Sequence, residues 1–139
     1  MRLSTKVRYA VRAMIELAAN YEKTAIQLSD VAEKQNISVK YLEQVMSPLR
    51  VKGYVRTQKG SRGGYHLAVN PKEISLYEII ESIEGSLAPV SCVDDNSCER
   101  SDKCVSREVW LQLKNVLSRE LQSHTLADLA ARHNKLNGL

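Results

Sequence analysis

Length, composition and charge limit what this chain can be. Its 139 residues, 43% of them hydrophobic and 26% charged, suit one compact domain with an appended element and exclude wholesale disorder. No apolar run approaches the roughly 20 residues that span a bilayer, and the N-terminus lacks the apolar stretch of a signal peptide. We therefore expect a cytoplasmic protein without a membrane partner.

The net charge of +4 is unevenly distributed along the chain. Residues 1–65 contain 12 Lys and Arg against 5 Asp and Glu, whereas residues 66–139 contain 8 against 11. A basic half can neutralise phosphates and release their counterions, so it indicates a polyanion such as double-stranded DNA as the partner. A solvated surface with an accidental bias would give the same counts.

Three helices are predicted in the first 53 residues. The first follows Ser4, which is a favoured N-cap residue, and continues to about residue 20. The second is expected over 30–35 with Ser29 as its cap. The third begins after Ser38 and contains Pro48, which removes one backbone donor from the helix.

The second and third helices together predict a helix-turn-helix. Asn36 suits the turn because Asn tolerates the left-handed conformation that ends helices. The outward face of the third helix presents four groups that can address a major groove: Lys40, Glu43, Gln44 and Ser47. Ser38, at the N-terminus of this helix, can contact a phosphate. An ordinary pair of surface helices with polar outer faces is the alternative interpretation.

A hairpin signal follows, with strands predicted over 54–57 and 65–68 and a glycine-rich turn between them. Glycines let the turn lie close to a sugar-phosphate chain. Lys59 and Arg62 can enter a minor groove, where narrow A·T tracts concentrate negative potential, and Ser61 lies between them. A hairpin loop with solvated charges is the alternative here.

The remaining elements are helical. We predict helices over 76–84, 104–123 and 126–133, with a polar loop from Gly85 to about residue 102. Three helices followed by a hairpin define a winged helix-turn-helix. The expected fold is therefore mainly α with a small β wing and a long C-terminal dimerisation helix.

This order also suggests three functional segments. Residues 1–84 would form the DNA-binding domain, 85–103 a cysteine-bearing loop, and 104–139 the dimerisation and C-terminal helices. The long helix carries an apolar stripe that a second copy of the chain can bury more easily than its own small domain can, and packing within the chain is the alternative. The stripe comprises Val109, Leu113, Val116, Leu117 and Leu121.

All three cysteines of the chain lie within 13 residues, as Cys92-x5-Cys98-x5-Cys104. An odd number in a cytoplasmic chain argues against a disulfide framework, and the polar loop cannot bury them as a hydrophobic cluster. A shared soft ligand, either an iron–sulfur cluster or zinc, explains three neighbouring thiols better. A redox thiol pair with one spare thiol, or three inert thiols, are the alternatives.

An enzyme is not expected. The three histidines, His66, His124 and His133, are spread along the chain and belong to no recognisable triad or metalloprotease motif. The glycine-rich turn also lacks the G-x-x-x-x-G-K-[ST] pattern of a P-loop.

Four segments together resemble the IscR/NsrR/CymR family of bacterial winged-helix regulators over residues 1 to about 130. They are MRLSTKVRYAVRAM, ISVKYLEQVMSPLRVKGYV, KGSRGGYHL and the three-cysteine loop. The resemblance implies a homodimer that meets one DNA half-site with each winged domain. It adds Tyr41 to the recognition-helix positions and, through the IscR branch, implies a [2Fe–2S] cluster on Cys92, Cys98 and Cys104.

The chain departs from the family pattern at the fourth cluster ligand. Where the IscR branch has a histidine, this sequence has Arg107, and where other branches have an acidic residue on the first helix it has Arg8. A guanidinium stays protonated and cannot ligate iron. The remaining protein candidates are all acidic: Asp94, Asp95, Glu99, Asp102 and Glu108. An exogenous group is the other possibility.

The resemblance leaves two alternatives to a cluster-sensing regulator. One is a cluster-free regulator controlled by a small molecule or a partner protein, as in the CymR branch. The other is a zinc-stabilised DNA-binding regulator.

Overall fold

A computed structural model describes residues 2–139 of the chain. It contains seven α-helices and one two-stranded antiparallel sheet, which confirms the predicted mainly α fold with a small wing. No helix among residues 2–139 is both long and apolar enough to cross a membrane. The helices are α1 (Thr5–Ala19), α2 (Leu28–Gln35), α3 (Val39–Val51), α4 (Leu76–Glu84), α5 (Cys92–Asp95), α6 (Val105–Gln122) and α7 (Leu126–Leu136); the strands are β1 (Val55–Gln58) and β2 (Gly64–Leu67).

Side-chain caps fix where several helices begin. Ser4, Ser38 and Thr125 each accept a hydrogen bond from a backbone N–H in the first turn of α1, α3 and α7. α4 begins with a capping box, in which Ser75 and Glu78 satisfy each other's backbone groups. The predicted starts of α1, α3 and α7 are therefore confirmed.

The start predicted for α2 is wrong. The helix begins at Leu28, so Ser29 lies inside its first turn and Gln27 occupies the N-cap position without a capping hydrogen bond. The Gln27 side chain instead donates to the carbonyl of Gly63 in the wing. Asn36 ends α2 in the left-handed conformation, with φ of 54°, as its residue type predicts.

The core lies between α1, α2, α3 and α4. Its largest fully buried side chains include Met14, Leu42, Met46 and Ile79, which come from three different helices. α7 returns to pack on α1 and buries Leu126 completely, so the end of the chain closes the same core. The side of α3 that faces away from this core is left to solvent.

The wing is anchored to the helical core. β1 and β2 pair in register from Val55 with Leu67 to Gln58 with Gly64. Tyr65 also forms an isolated bridge with Ile26, in the segment just before α2. This bridge fixes the wing relative to the helix-turn-helix.

α3 remains helical through Pro48. Proline has no backbone N–H, so the Gln44 carbonyl has no intrahelical donor four residues later. Leu49, the next residue, is fully buried.

Candidate nucleic-acid interface and cysteine loop

The exposed face of α3 carries four of the polar residues that the sequence predicts for DNA contact. Ser38, Lys40, Glu43 and Gln44 are all exposed, whereas Ser47 is half-buried. The Ser38 hydroxyl accepts a hydrogen bond from the Tyr41 backbone N–H at 3.0 Å and so caps the N-terminus of α3. Free N–H groups at such a terminus favour an anion such as a phosphate.

Tyr41 has a different environment from the other four. It is half-buried, and its ring meets the Tyr9 ring edge to face, with centroids 5.9 Å apart and planes at 87°. This geometry is a favourable aromatic arrangement. Tyr41 therefore helps to join α3 to α1, and this contact contributes to the orientation of α3.

The wing presents its predicted residues at the tip of the hairpin. Lys59, Ser61 and Arg62 are exposed. Among residues 2–139, neither Lys59 nor Arg62 forms an ion pair, and Lys40 on α3 forms none either. Their charges are therefore available to an external anion.

Arg56 on β1 is a further exposed cation of the wing that the sequence analysis did not single out. It lies on the same hairpin as Lys59 and Arg62, opposite His66. Because only Val55 of β1 is buried, the strand presents its other three residues to solvent. The sequence signal that could have indicated Arg56 is the run of basic residues from Arg56 to Arg62.

The polar loop after α4 contains a short helix that the sequence did not predict. Val93 of α5 is buried, and Asp94 forms an ion pair with Lys114 of α6 at 2.6 Å. Hydrogen bonds from Lys114, then from Ser86, lower the pKa of Asp94 below its ordinary value. The loop is thus held against the long helix by a charged contact.

Arg107 makes a second connection between α5 and α6. Its Nε donates to the Cys92 carbonyl at 3.2 Å, and its guanidinium also donates to the Asn96 side chain. Arg107 stands where the IscR branch has a ligating histidine. In this chain that position stabilises the loop by hydrogen bonds and supplies no metal ligand.

The three cysteines are free thiols; Cys92 and Cys104 are half-buried and Cys98 is exposed. Cys104 is the N-cap residue of α6. A hydrogen bond with the Ser106 side chain, 3.2 Å from the sulfur, lowers the pKa of Cys104, as does the backbone of Arg107. A lowered pKa favours the thiolate, which is the form that binds metals.

The donor chemistry fits a soft metal centre, but the donors are not assembled. Within residues 2–139, no three His, Cys, Asp or Glu side chains form a group that could hold a metal ion. A [2Fe–2S] cluster distributes its ligands over two irons, so it does not need three of these side chains around one ion. Cys98 lies in the exposed stretch between α5 and α6.

The candidates for a fourth ligand differ in how they are engaged. Asp94 is paired with Lys114, and Asp95 accepts from the Ser97 backbone N–H at 2.9 Å. The other three are exposed and form no side-chain hydrogen bond or ion pair in the described part of the chain: Glu99, Asp102 and Glu108. Glu108 follows Cys104 by four residues, so both lie on one side of the first turn of α6.

The long helix α6 has no buried residue. Val109, Leu113 and Val116 expose 52%, 40% and 59% of their surface, while Leu117 and Leu121 are half-buried. α6 packs on α4 and α5 with one side only. The predicted apolar stripe is therefore largely uncovered in a single chain.

Comparison with known proteins identifies the family. A family model described as Rrf2, iron-dependent transcriptional regulator, matches residues 3–132. The chain belongs to the Rrf2 family of transcriptional regulators. This confirms the resemblance found in the sequence, and it agrees with the expectation of a regulator and not an enzyme.

Relatives come from more than one branch of the Rrf2 family. The HTH-type transcriptional regulator IscR of Cronobacter sakazakii is 38% identical over 129 residues, which are 93% of this chain and 80% of the relative. The structure of CymR, the global cysteine regulator of B. subtilis, superposes with a TM-score of 0.80 at 37% identity and covers 95% of this chain and 98% of its own. T. potens IscR superposes with a TM-score of 0.78 at 34% identity, covering 98% and 90%.

Proposed function

We propose that this Rrf2-family regulator is a homodimer that binds double-stranded DNA and senses iron–sulfur cluster status or redox state. The cluster, which we take to be [2Fe–2S], would be held by Cys92, Cys98 and Cys104. The observation that carries the proposal is the pairing of an exposed polar recognition helix with an exposed basic wing on one fold. We further propose that residues 1–84 bind DNA, 85–103 hold the cluster and 104–139 contribute the dimer helix.

On the DNA side, α3 would enter the major groove. Gln44 can bond adenine through both groups of its amide, Glu43 can accept from cytosine, and Lys40 can reach guanine or a phosphate. Ser38 and the N-terminus of α3 would contact the backbone. Lys59, Ser61 and Arg62 would follow the adjacent minor groove or its phosphates.

On the sensor side, the cluster would supply a redox-active centre whose presence depends on iron and oxidants. The thiolates of Cys92, Cys98 and Cys104 would hold it, with Glu108, Glu99 or Asp102 as protein candidates for the fourth position. The ion pair of Lys114 with Asp94 and the hydrogen bonds of Arg107 keep the loop against α6. A rearrangement of this loop would act on the dimer helix, with coupling of about 1–3 kcal/mol.

The DNA proposal predicts two distinguishable mutant phenotypes. Lys40→Ala should weaken binding about equally on all sequences and reduce its salt dependence, because it removes a phosphate or charge contact. Gln44→Ala should cost about 1–3 kcal/mol on the preferred site and relax its sequence preference. Fluorescence anisotropy on duplexes selected from a random library measures both effects.

Lys135→Ala is the control, because Lys135 is an exposed lysine of α7, outside the proposed interface. It should leave the selected sequence and the affinity unchanged. Equal losses in all three variants would contradict the assignment of α3 as the recognition helix.

The cluster proposal is tested on anaerobically prepared protein. We expect visible absorption with about two iron and two sulfide per chain. Substitution of Cys92, Cys98 and Cys104 by Ser should abolish the absorption and change operator affinity. Ser106→Ala should retain the iron, because Ser106 contacts Cys104 without being a candidate ligand.

A second candidate is a cluster-free regulator controlled by a small molecule or a partner protein. The likeness to CymR across 95% of the chain supports it. Colourless protein free of iron and sulfide, with cysteine substitutions that leave DNA binding unchanged, would support this candidate. Zinc as the sole bound metal would support the zinc-stabilised alternative.

A further inference from the structure

A cavity of about 330 Å³ lies between α1, α2 and α7, away from the cysteine loop and the wing. Its walls combine two aliphatic side chains, Ile15 and Val31, with charged and polar groups from all three helices. Cavities of this size accept small molecules. Because α2 is the first helix of the helix-turn-helix, a ligand here would contact the DNA-binding unit directly.

Gln35 lines this cavity, and its side-chain amide lacks hydrogen-bond partners. Both the nitrogen and the oxygen of its side-chain amide are buried and have no hydrogen-bond partner within residues 2–139. A buried amide without partners is unfavourable, so the Gln35 side chain gains hydrogen bonds if it turns toward a polar ligand in the cavity. Its NH₂ group can donate two hydrogen bonds, and its carbonyl oxygen can accept two.

Side chains of both charge signs line the cavity together with Gln35. Glu16 accepts from Lys34 at 3.2 Å and lies 3.8 Å from the His133 ring nitrogen, and only 18% of its side chain is exposed. Arg12 lies one turn before Glu16 on α1 and lines the same cavity. Arg12 and Glu16 do not pair with each other, and Arg12 has no ion pair in the described part of the chain.

We propose that this cavity binds a free α-amino acid with a polar side chain. The Arg12 guanidinium would hold the α-carboxylate, and Glu16, which has acceptor capacity beyond Lys34, would hold the α-ammonium group. Side chains four residues apart on a helix lie about 5–6 Å apart, which suits two opposite charges of one small zwitterion. The Gln35 amide would turn from its buried position to pair with the polar end of the ligand.

The test uses the full chain and the polar L-amino acids, one at a time, at concentrations up to about 10 mM. We expect at least one to bind with one site per chain in isothermal titration calorimetry and to raise Tm by about 3 °C or more. The corresponding amino acid amide, which lacks the carboxylate, should bind at least about tenfold more weakly.

Two variants locate the binding site. Arg12→Ala should abolish the heat of binding, and it should fold because Arg12 is exposed. Gln35→Met should also abolish binding while raising the Tm of the ligand-free protein, since it removes the unmet buried amide. Arg132→Ala and Gln122→Met are matched controls at exposed positions outside the cavity and should bind normally.

The absence of binding by every polar amino acid would overturn the proposal. So would binding that survives Arg12→Ala, or a Gln35→Met variant less stable than the parent, which would make the amide a structural group. These measurements need no DNA. An effect of the amino acid on DNA affinity rests on the proposed function and is measured separately by anisotropy. A failure of amino acid binding can therefore be distinguished from a failure of DNA binding.

Discussion

At the residue level, one hydrogen bond joins the beginning of α1 to the end of α4. The Ser4 backbone N–H donates to a carboxylate oxygen of Glu84 at 2.9 Å across 80 residues of sequence. Ser4 is also the N-cap of α1, and Glu84 is the last residue of α4. Hydrogen bonds from the side chain and the backbone of Ser4 lower the pKa of Glu84 below its ordinary value of 4.5.

This contact predicts a pH dependence of stability. A carboxylate whose pKa is lowered by folding contributes stability above its unfolded pKa, and the contribution is lost as the pH falls through the folded pKa. Glu84→Gln should therefore lower the free energy of unfolding at neutral pH, and its deficit should shrink as the pH drops below 4.5. Urea unfolding of the parent and of Glu84→Gln at several pH values measures the deficit in unfolding free energy and its dependence on pH.

Glu73→Gln is the control for this experiment. Glu73 is exposed, and its carboxylate forms no hydrogen bond or ion pair within residues 2–139. The free energy of unfolding of the Glu73→Gln variant should follow that of the parent protein across the pH range. A Glu84→Gln deficit that stays constant down to strongly acidic pH would contradict the assignment of the effect to this carboxylate.

Residue-level prediction succeeded where the decisive partner is close in sequence. Ser4, Ser38 and Thr125 cap their helices through N–H groups only three residues away. Gln27 takes the cap position of α2 instead of Ser29, because its side chain binds the wing 36 residues later. The sequence names the three cysteines, but their spacing does not predict whether their sulfurs assemble.

At the level of elements, the wing depends on a close backbone approach. Gly64 has φ of 144°, and a Cβ at this position would clash with the Ile26 carbonyl. Ile26 and Tyr65 exchange backbone hydrogen bonds at 2.8 and 3.0 Å beside it. A glycine is therefore required for the contact that positions the hairpin.

Gly64→Ala should destabilise the protein by about 2 kcal/mol or more, because the clash adds to backbone strain. Gly60→Ala is the matched control: Gly60 also has a positive φ, of 103°, but an added Cβ meets nothing within 4 Å. It should cost only about 1 kcal/mol. Thermal unfolding gives both values, and equal losses would contradict the proposed clash.

Sequence patterns predicted the long elements well and the short ones poorly. The apolar periodicity of α1, α3, α4 and α6 defines their faces, and the glycine-rich turn defines the wing. α5, of four residues, was assigned to a loop because its own sequence is polar. Contacts with Lys114 and Arg107 on α6 hold it, and such tertiary contacts leave no local periodicity.

At the level of the whole molecule, the uncovered face of α6 predicts a dimer. Val116→Asp places a charge on its most exposed apolar position among those in the stripe and should convert the dimer to a monomer. DNA affinity should fall as well, because two half-sites are no longer bound together. Analytical ultracentrifugation measures the mass.

Asn115→Asp introduces the same charge at the adjacent, exposed and polar position, so it should remain a dimer. A Val116→Asp variant with unchanged mass would rule out this face as the interface. If the parent chain is itself a monomer at micromolar concentration, the homodimer proposal fails.

Pro48 interrupts the backbone hydrogen bonding of α3. Since Pro48 offers no N–H to the Gln44 carbonyl, α3 lacks one rung of its hydrogen-bond ladder between Leu42 and Leu49, which are both fully buried. Helices bend most easily at such a point. Here the buried Leu42 and Leu49 hold α3 in the core on either side of the missing bond, so side-chain packing fixes the direction of its exposed face where the backbone ladder is interrupted.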